Sequence, residues 1–432
     1  MTSPDAGPDA DPSVPATALR AAARRFGTPV AVTSVTALEA AAAELRAAFP
    51  DPWLRAYSLK ANDVPAIVAR LGALSLDANV VSRGEWAVAR RAGIPNARIT
   101  LEGIGKSPGD LRAAVRAAAE GDPLRWVAVE SPEELEALAA IAGSGGLGRG
   151  GRPALDVLLR LNPDVSPETL AGLAVGHGAS KFVMTETELM TTVSEMPAEG
   201  GPLAIRGVHL HVGSQLGAVD SWRDAVRRGL ALLALLGAGR PGMDTFDVGG
   251  GFPVGDPGSV PTPARFAREA AAAIEAIPAE RRARRLATEP GRFLVARAGW
   301  LVAEVLHVRE RAGQTRIVVI DAGMTELIRP ALYGAWHRVV ALGASSSSSG
   351  SASSASSLRP ARVDGPICES TDTFGDHDLP ELRRGDLVAI ADTGAYGASM
   401  ASAYNGRPAV PQVLLEDDGR LVLGRRRGRI GG

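Results

Sequence analysis

The chain has 432 residues, 45% of them hydrophobic, and a formal net charge of -1. That length exceeds one ordinary domain, so two are expected, and the near-neutral balance gives no electrostatic reason to expect nucleic acid or a membrane surface as partner. The single cysteine, Cys368, excludes an intrachain disulfide and fits a reducing cytoplasm or a thiol with a chemical task; no apolar run reaches the length of a membrane span. Residues 1–17 are acidic and proline-rich, without the apolar centre of a signal peptide, and read as a disordered tail. Residues 18–49 hold one strand-like run, "TPVAVTSV" (28–35), expected to pair with a β-rich domain further along.

From 50 to 298 short apolar runs alternate with helical patterns. The predicted strands are "LRAYSL" (54–59), "LSLDANV" (74–80), "ARITLEG" (97–103), "RWVAVE" (125–130), "LDVLLRLN" (155–162), "IRGVHLHV" (205–212), "TFDVGG" (245–250) and "RRLATEP" (284–290). Between them, "SPGDLRAAVRAAAEG" and "SPEELEALAAIAG" open on Ser-Pro caps, and "SWRDAVRRGLALLALLG" has apolar residues at helical spacing. Eight strands, most followed by a helix, favour an α/β fold with a (β/α)8 TIM-type barrel over a doubly wound sheet. From 299 to 432, "WLVAEVLHVRE", "TRIVVIDAG", "DLVAIADTG" and "PQVLLED" predict a C-terminal β-rich domain, Greek-key or β-sandwich-like, with a disordered Ser-rich insert at 344–357. The arginine-rich end, "RRRGRI", reads as solvated.

In such a barrel the chemistry sits at the C-terminal strand ends, where this chain places Lys60, Asp77, Glu130, Asn162, His211, Gly249 to Gly251 and Glu289. Lys60, Lys106 and Lys181 are the only lysines among 47 basic residues. Arginine stays protonated near neutral pH and lysine can lose its proton, so Lys60 is a candidate Schiff-base amine, against the plainer reading of a surface lysine. Lys106 and Lys181 read as structural. The glycines of "DVGGGF" could offer N–H groups to a phosphate or simply make a tight turn. Ser214 in "HLHVGSQ" is a possible phosphate ligand, and His211 could stack on an aromatic ring or merely pack. Glu289 in "EPGRFL" could hold a pyridine nitrogen protonated or pair with Arg292. An amine, a phosphate cradle, a flat ring and an acid together match pyridoxal 5'-phosphate (PLP), whereas a plain aldolase needs only the lysine. No metal is expected.

The segments "YSLKAN", "LDANVVSRGE", "LNPDV", "SKF", "GVHLHVGSQ", "DVGGGF", "EPGR", "DAGMTELIRPALYGAWH", "GPICESTD" and "DTGAYGASMASAYNGRP" resemble, in order and from about 54 to 410, those of the diaminopimelate decarboxylases, in the alanine-racemase-like class of PLP enzymes. The resemblance implies decarboxylation of meso-2,6-diaminopimelate to L-lysine and CO2. It gives Lys60 the cofactor as a Schiff base, His211 the ring face, Glu289 the ring nitrogen, and Ser214, Gly250, Gly251, Gly291 and Arg292 the phosphate side. Asp77 is counted with the cofactor-binding residues. Tyr396 falls near cofactor phosphate and substrate. Arg292, Arg329 and Tyr333 are assigned to the substrate, Glu369 to its distal amine, and Cys368 to proton donation. The family brings "CES" from a partner subunit, so a homodimer with shared active sites is implied.

One departure is Arg83, where the family has a second glycine. Rivals are a related amino-acid decarboxylase of secondary metabolism with another substrate, and a non-catalytic PLP-binding protein of cofactor homeostasis. A racemase is disfavoured, because the family's racemases place an arginine where Glu289 stands.

Overall fold

A computed structural model describes residues 14–165, 168–169, 183–256, 258–310, 315–343 and 357–429. Lys181 with its "SKF" segment, and the Ser-rich insert up to residue 356, lie outside them. The chain divides into two compact units: one runs to Ala40 and resumes at Val295, the other is Ala41–Leu294. The first boundary therefore falls inside a helix rather than at residue 50, as the sequence suggested.

Helix α1 (Ala16–Phe26) is followed by strand β1 (Val30–Ser34) and α2 (Val35–Ala48). The expected tail is thus too long: residues 16 and 17 already belong to α1, whose Leu19, Ala22 and Ala23 are buried. The second unit is a closed barrel of eight strands. These are β2 (Leu54–Ser58), β3 (Asp77–Val80), β4 (Ile99–Leu101), β5 (Trp126–Val129), β6 (Leu155–Leu161), β7 (Leu203–Leu210), β8 (Thr245–Asp247) and β9 (Arg285–Thr288). Each pairs in parallel with the next, and β2 closes on β9 through Leu54 opposite Ala287 and Arg55 opposite Thr288. Strands buried on both faces favour apolar runs, as in β5, and β3 too is buried at every residue although Asp77 and Asn79 are polar.

The helices of this unit are α3 (Pro65–Ala73), α4 (Arg83–Arg91), α5 (Pro108–Ala119), α6 (Pro132–Ser144), α7 (Glu186–Glu195), α8 (Asp220–Gly237), α9 (Pro263–Glu275) and α10 (Arg292–Val295), the last of which crosses the second boundary. Ser107 and Asp110 form a capping box at α5, and Ser131 accepts from the Glu134 N–H at α6, as their Ser-Pro openings predicted. Arg83 points outward at the start of α4 and pairs with Asp110 at 2.9 Å. Lys106 is a structural lysine: its side chain is 1% exposed and its ammonium lies 3.0 Å from Glu134.

The other unit carries β10 (Gly299–Arg309), β11 (Arg316–Ile320), α11 (Arg329–Tyr333), β12 (Val339–Ala341), β13 (Arg359–Asp364), β14 (Thr373–Leu379), β15 (Leu387–Ile390), β16 (Gln412–Leu415) and β17 (Leu421–Arg425). Its nine-stranded mixed sheet runs β14-β13-β11-β10-β1-β16-β17, with β15 joining β10 and β12. β1 lies between β10, antiparallel, and β16, parallel. The long β10 feeds two cores by strand alternation. Leu301, Ala303 and Val305 pack with Val318, Ile320 and Val363, whereas Trp300 and Val302 pack with Val30, Val32 and α1. The arginine-rich end is not simply solvated, because Arg427 donates to the carbonyls of Phe26, Gly27 and Pro29. No helix of the described residues is long and apolar enough to cross a membrane.

Candidate active site

The C-terminal strand ends of the barrel collect the polar side chains. Lys60 lies in a single turn of 3-10 helix, Leu59–Ala61, directly after β2. Glu102 follows β4, Glu130 follows β5, Asn162 follows β6, His211 follows β7, the glycines follow β8 and Glu289 follows β9. Two of these have structural partners: Glu130 makes a buried ion pair of 2.7 Å with Arg160, and Asn162 Oδ1 accepts from the Asp164 N–H.

Asp77 does not belong there. It is the first residue of β3, at the opposite mouth of the barrel, where Arg98 and Arg125 hold it at 2.6 and 2.9 Å. The predicted strand began at 74, which placed Asp77 in its middle. In the structure Ser75 takes a left-handed φ of 66°, a turn, and the strand starts only after it. Asp77 is an ion-pair anchor of the barrel base, not a cofactor ligand.

His211 keeps part of its surface open. Burial of the ring, followed by the positive charges of Lys60 and Arg160, nevertheless pushes its pKa well below the usual histidine value. A neutral ring suits the bond in which the Gly250 N–H donates to its Nδ1 at 3.3 Å. Gly250 thus spends its N–H on the histidine in this structure. A side chain at 250 is excluded, since a Cβ would overlap the Glu289 carbonyl oxygen. Gly250→Ala should therefore cost about 2–3 kcal/mol of stability, the scale of forced overpacking, and lower the melting temperature. Ser214 and Arg292 are brought together: Nε and Nη2 of Arg292 donate to the Ser214 hydroxyl oxygen at 3.3 and 3.1 Å.

Beneath this layer lies a group that sequence reasoning left unassigned. His209 is fully buried, with Nε2 3.3 Å from Glu289 Oε2 and 3.8 Å from Glu102 Oε1. Neither approach has hydrogen-bond geometry, and Glu289 Oε1 also has no hydrogen-bond partner among the described residues. Burial first, then the charges of Arg160, His211 and Lys60, keeps His209 well below the usual histidine range. Burial raises the Glu102 pKa against the opposing charges of Lys60 and Arg160, and burial followed by the neighbouring Glu102 raises Asp247 strongly. These shifts favour the neutral forms of the three groups in the floor around Glu289. The "HLH" triplet was the available signal, because alternation on a strand puts both histidines on one side.

The remaining predicted residues lie in the β-rich unit. Arg329 and Tyr333 open and close α11, and Arg329 Nη1 lies 3.1 Å from His337 Nε2. Cys368 and Glu369 are exposed; the Tyr404 hydroxyl donates to Glu369 at 2.7 Å, and Asn405 Nδ2 lies 3.8 Å from Cys368 Sγ. Tyr404 and Asn405 fell inside a quoted motif without being assigned. Tyr396 holds a left-handed φ of 59°, an uncommon state for a tyrosine that its surroundings must enforce.

Residues 35–296 match the family model described as "Pyridoxal-dependent decarboxylase, pyridoxal binding domain". The chain is 34% identical over 412 residues to the diaminopimelate decarboxylase of Aquifex aeolicus, covering 95% of this chain and 91% of that one. It is 36% identical over 434 residues to that of Actinosynnema pretiosum, covering 96% and 89%. Its fold matches the crystal structure of Helicobacter pylori diaminopimelate decarboxylase complexed with L-lysine, with a TM-score of 0.85 and 31% identity over 95% of this chain and 97% of that chain. A barrel with a lysine, a neutral histidine and a buried carboxylate at its strand ends, and this likeness along nearly the whole length, lead to one conclusion: the chain belongs to the diaminopimelate decarboxylases, within the pyridoxal-dependent decarboxylases.

Proposed function

We propose that this protein decarboxylates meso-2,6-diaminopimelate to L-lysine and CO2, with PLP as cofactor and a homodimer as the active form. The observation that carries this reading is the likeness to diaminopimelate decarboxylases over 95% of the chain. The barrel residues fit the cofactor. Glu289 Oε1 is a buried acceptor without a hydrogen-bond partner among the described residues, an arrangement that costs about 1–3 kcal/mol until a donor such as a pyridinium N–H reaches it. Neutral His211 offers a flat ring at the same strand ends, and Ser214 with Arg292 offers donors to a phosphate. When bound, PLP supplies an electron sink for the pair left behind by CO2.

The chain's own residues do the rest. Lys60 is the amine that carries the cofactor. Glu289 holds the ring nitrogen, His211 supports the ring face, and Ser214, Gly250, Gly251, Gly291 and Arg292 form the phosphate side, with Tyr396 adjoining it. The substrate has an amino-acid group at each end. The end that keeps its carboxylate is read by Arg329, Tyr333 and Arg292, since a guanidinium suits a carboxylate through two parallel N–H bonds. Glu369 takes the ammonium of that end, and Tyr404, bonded to Glu369, holds the carboxylate in place. Cys368 Sγ gives the proton that replaces the departing carboxylate, and Cys368 and Glu369 serve the partner subunit's site.

Cys368→Ala is expected to slow lysine formation by about 100-fold or more, the scale of a lost positioned proton donor, while PLP affinity stays near wild type. Single-turnover rates beside a PLP titration check this, and an unchanged rate moves the donor elsewhere. The function itself is tested by offering the PLP-loaded protein diaminopimelate, ornithine, arginine and lysine separately and measuring CO2 and amine product. Lysine formed from diaminopimelate alone supports the reading. Turnover only of another substrate keeps the Lys60 chemistry and removes the assignment of the distal-end residues.

A further inference from the structure

Arg329 begins a helix of five residues, α11, which is too short to fix a long side chain by itself. His337, eight positions on, is 2% exposed and meets Arg329 on one side of its ring and the backbone on the other. Its Nε2 is 3.1 Å from Arg329 Nη1, and its Nδ1 is 3.0 Å from the Ala391 carbonyl oxygen. A guanidinium can only donate, so Nε2 must accept. The ring proton then sits on Nδ1 and is donated to Ala391. The geometry therefore fixes the tautomer without a choice: the Ala391 carbonyl orients the imidazole, and the imidazole orients the guanidinium.

We propose that His337 is a positioning residue for substrate recognition, holding Arg329 in the orientation in which it meets the carboxylate that the reaction leaves in place. This rests on the reading of Arg329 as that carboxylate's partner. Arginine has a flexible stem, and ordering it at the moment of binding costs affinity. A buried acceptor that orders it beforehand removes part of that cost. His337 touches neither substrate nor reacting atoms in this account and acts only through Arg329.

Two substitutions separate this role from a merely structural one. In His337→Gln the side-chain amide reaches the Nε2 position and can still accept from Arg329. In His337→Asn the amide reaches only the Nδ1 position, so the bond to Ala391 can persist while the one to Arg329 is lost. Both are polar and of similar size. The readout is binding of L-lysine to the full-length, PLP-loaded protein by calorimetry, which needs no chemistry, beside KM and kcat with diaminopimelate. L-Lysine keeps the carboxylate in question, and 1,5-diaminopentane, which lacks it, is the control ligand.

The expected result is that His337→Asn weakens L-lysine by about 3- to 10-fold and raises KM by a similar factor, with kcat and diaminopentane binding little changed. His337→Gln should stay within about twofold of wild type on every measure. Wild-type lysine affinity in His337→Asn, or equal loss in both variants, overturns the proposal. Arg329→Met tells its failure from that of the underlying reading. Lysine affinity lost by about 100-fold in that variant keeps Arg329 as the carboxylate's partner whatever His337 does, and unchanged affinity removes both assignments.

Discussion

Lys60→Ala should leave a folded protein whose turnover falls below about one-thousandth of wild type, within the range lost when a positioned proton-transfer group is removed. The expectation follows from where the lysine stands. It is one of three lysines in the whole chain, and it occupies the single turn directly after β2. Its charge is felt by Glu85, Glu102, His209 and His211 together, so it sits where the floor around Glu289 and His211 converge. A methyl group there can still be packed, so stability should change little. The absorption of the covalently held cofactor should disappear, and borohydride should fix no label at residue 60. A variant that keeps full activity removes Lys60 from the mechanism.

Glu289→Gln should lower kcat by about 10²–10³, the scale of losing one preorganised electrostatic group at a reacting centre. The amide keeps the size and the chance of a hydrogen bond but cannot hold a ring nitrogen protonated as a carboxylate does. The surroundings make the effect large. Glu102 and Asp247, the acids nearest this floor, are pushed toward their neutral forms, so they are poor substitutes for a missing carboxylate. PLP should still bind through Lys60 and the phosphate side. The check is a single-turnover rate together with 15N NMR of ring-labelled cofactor. An unchanged nitrogen shift with an unchanged rate removes Glu289 from the ring.

The eight barrel strands were legible because short runs rich in apolar residues alternate with helical patterns, even where polar residues interrupt them, as Asp77 and Asn79 do in β3. The β-rich unit was read less completely. β13 and β14 are "RPARVD" and "TFGDHDL", where the buried positions are Ala361, Val363, Phe374, His377 and Leu379 and charged residues fill much of the remainder. No apolar run announces them; their pairing partners, distant in sequence, make them strands. α1 was hidden beside the proline-rich start. In the site, Lys60, His211, Gly249 to Gly251 and Glu289 do stand after the strands that their motifs indicated, whereas Asp77, in the middle of the predicted strand, is the first residue of the observed one and lies at its other end. Glu102 and His209 escaped because their importance is a matter of adjacency: they come from β4 and β7 and meet Glu289 after β9, so that one nitrogen or oxygen of each lies within 4.8 Å of the others. His337 escaped similarly, since only the fold brings Ala391 beneath it.

The placement of β1 has a consequence for how the chain is made. Its two partners are β10 and β16, with Val30 opposite Val302 and Ala31 opposite Gln412. During synthesis the strand therefore emerges early and waits for most of the chain, while the barrel strands are made in between and, apart from the closing pair of β2 and β9, each pairs with the next one made. Contacts of such long separation close slowly, and an unpaired strand edge is the part of a nascent chain most open to wrong association. Assembly should run from the middle outward, with the barrel formed first and the two ends of the polypeptide meeting last. A ribosome-bound chain arrested before β16 would hold a finished barrel and an N-terminal strand still lacking one neighbour.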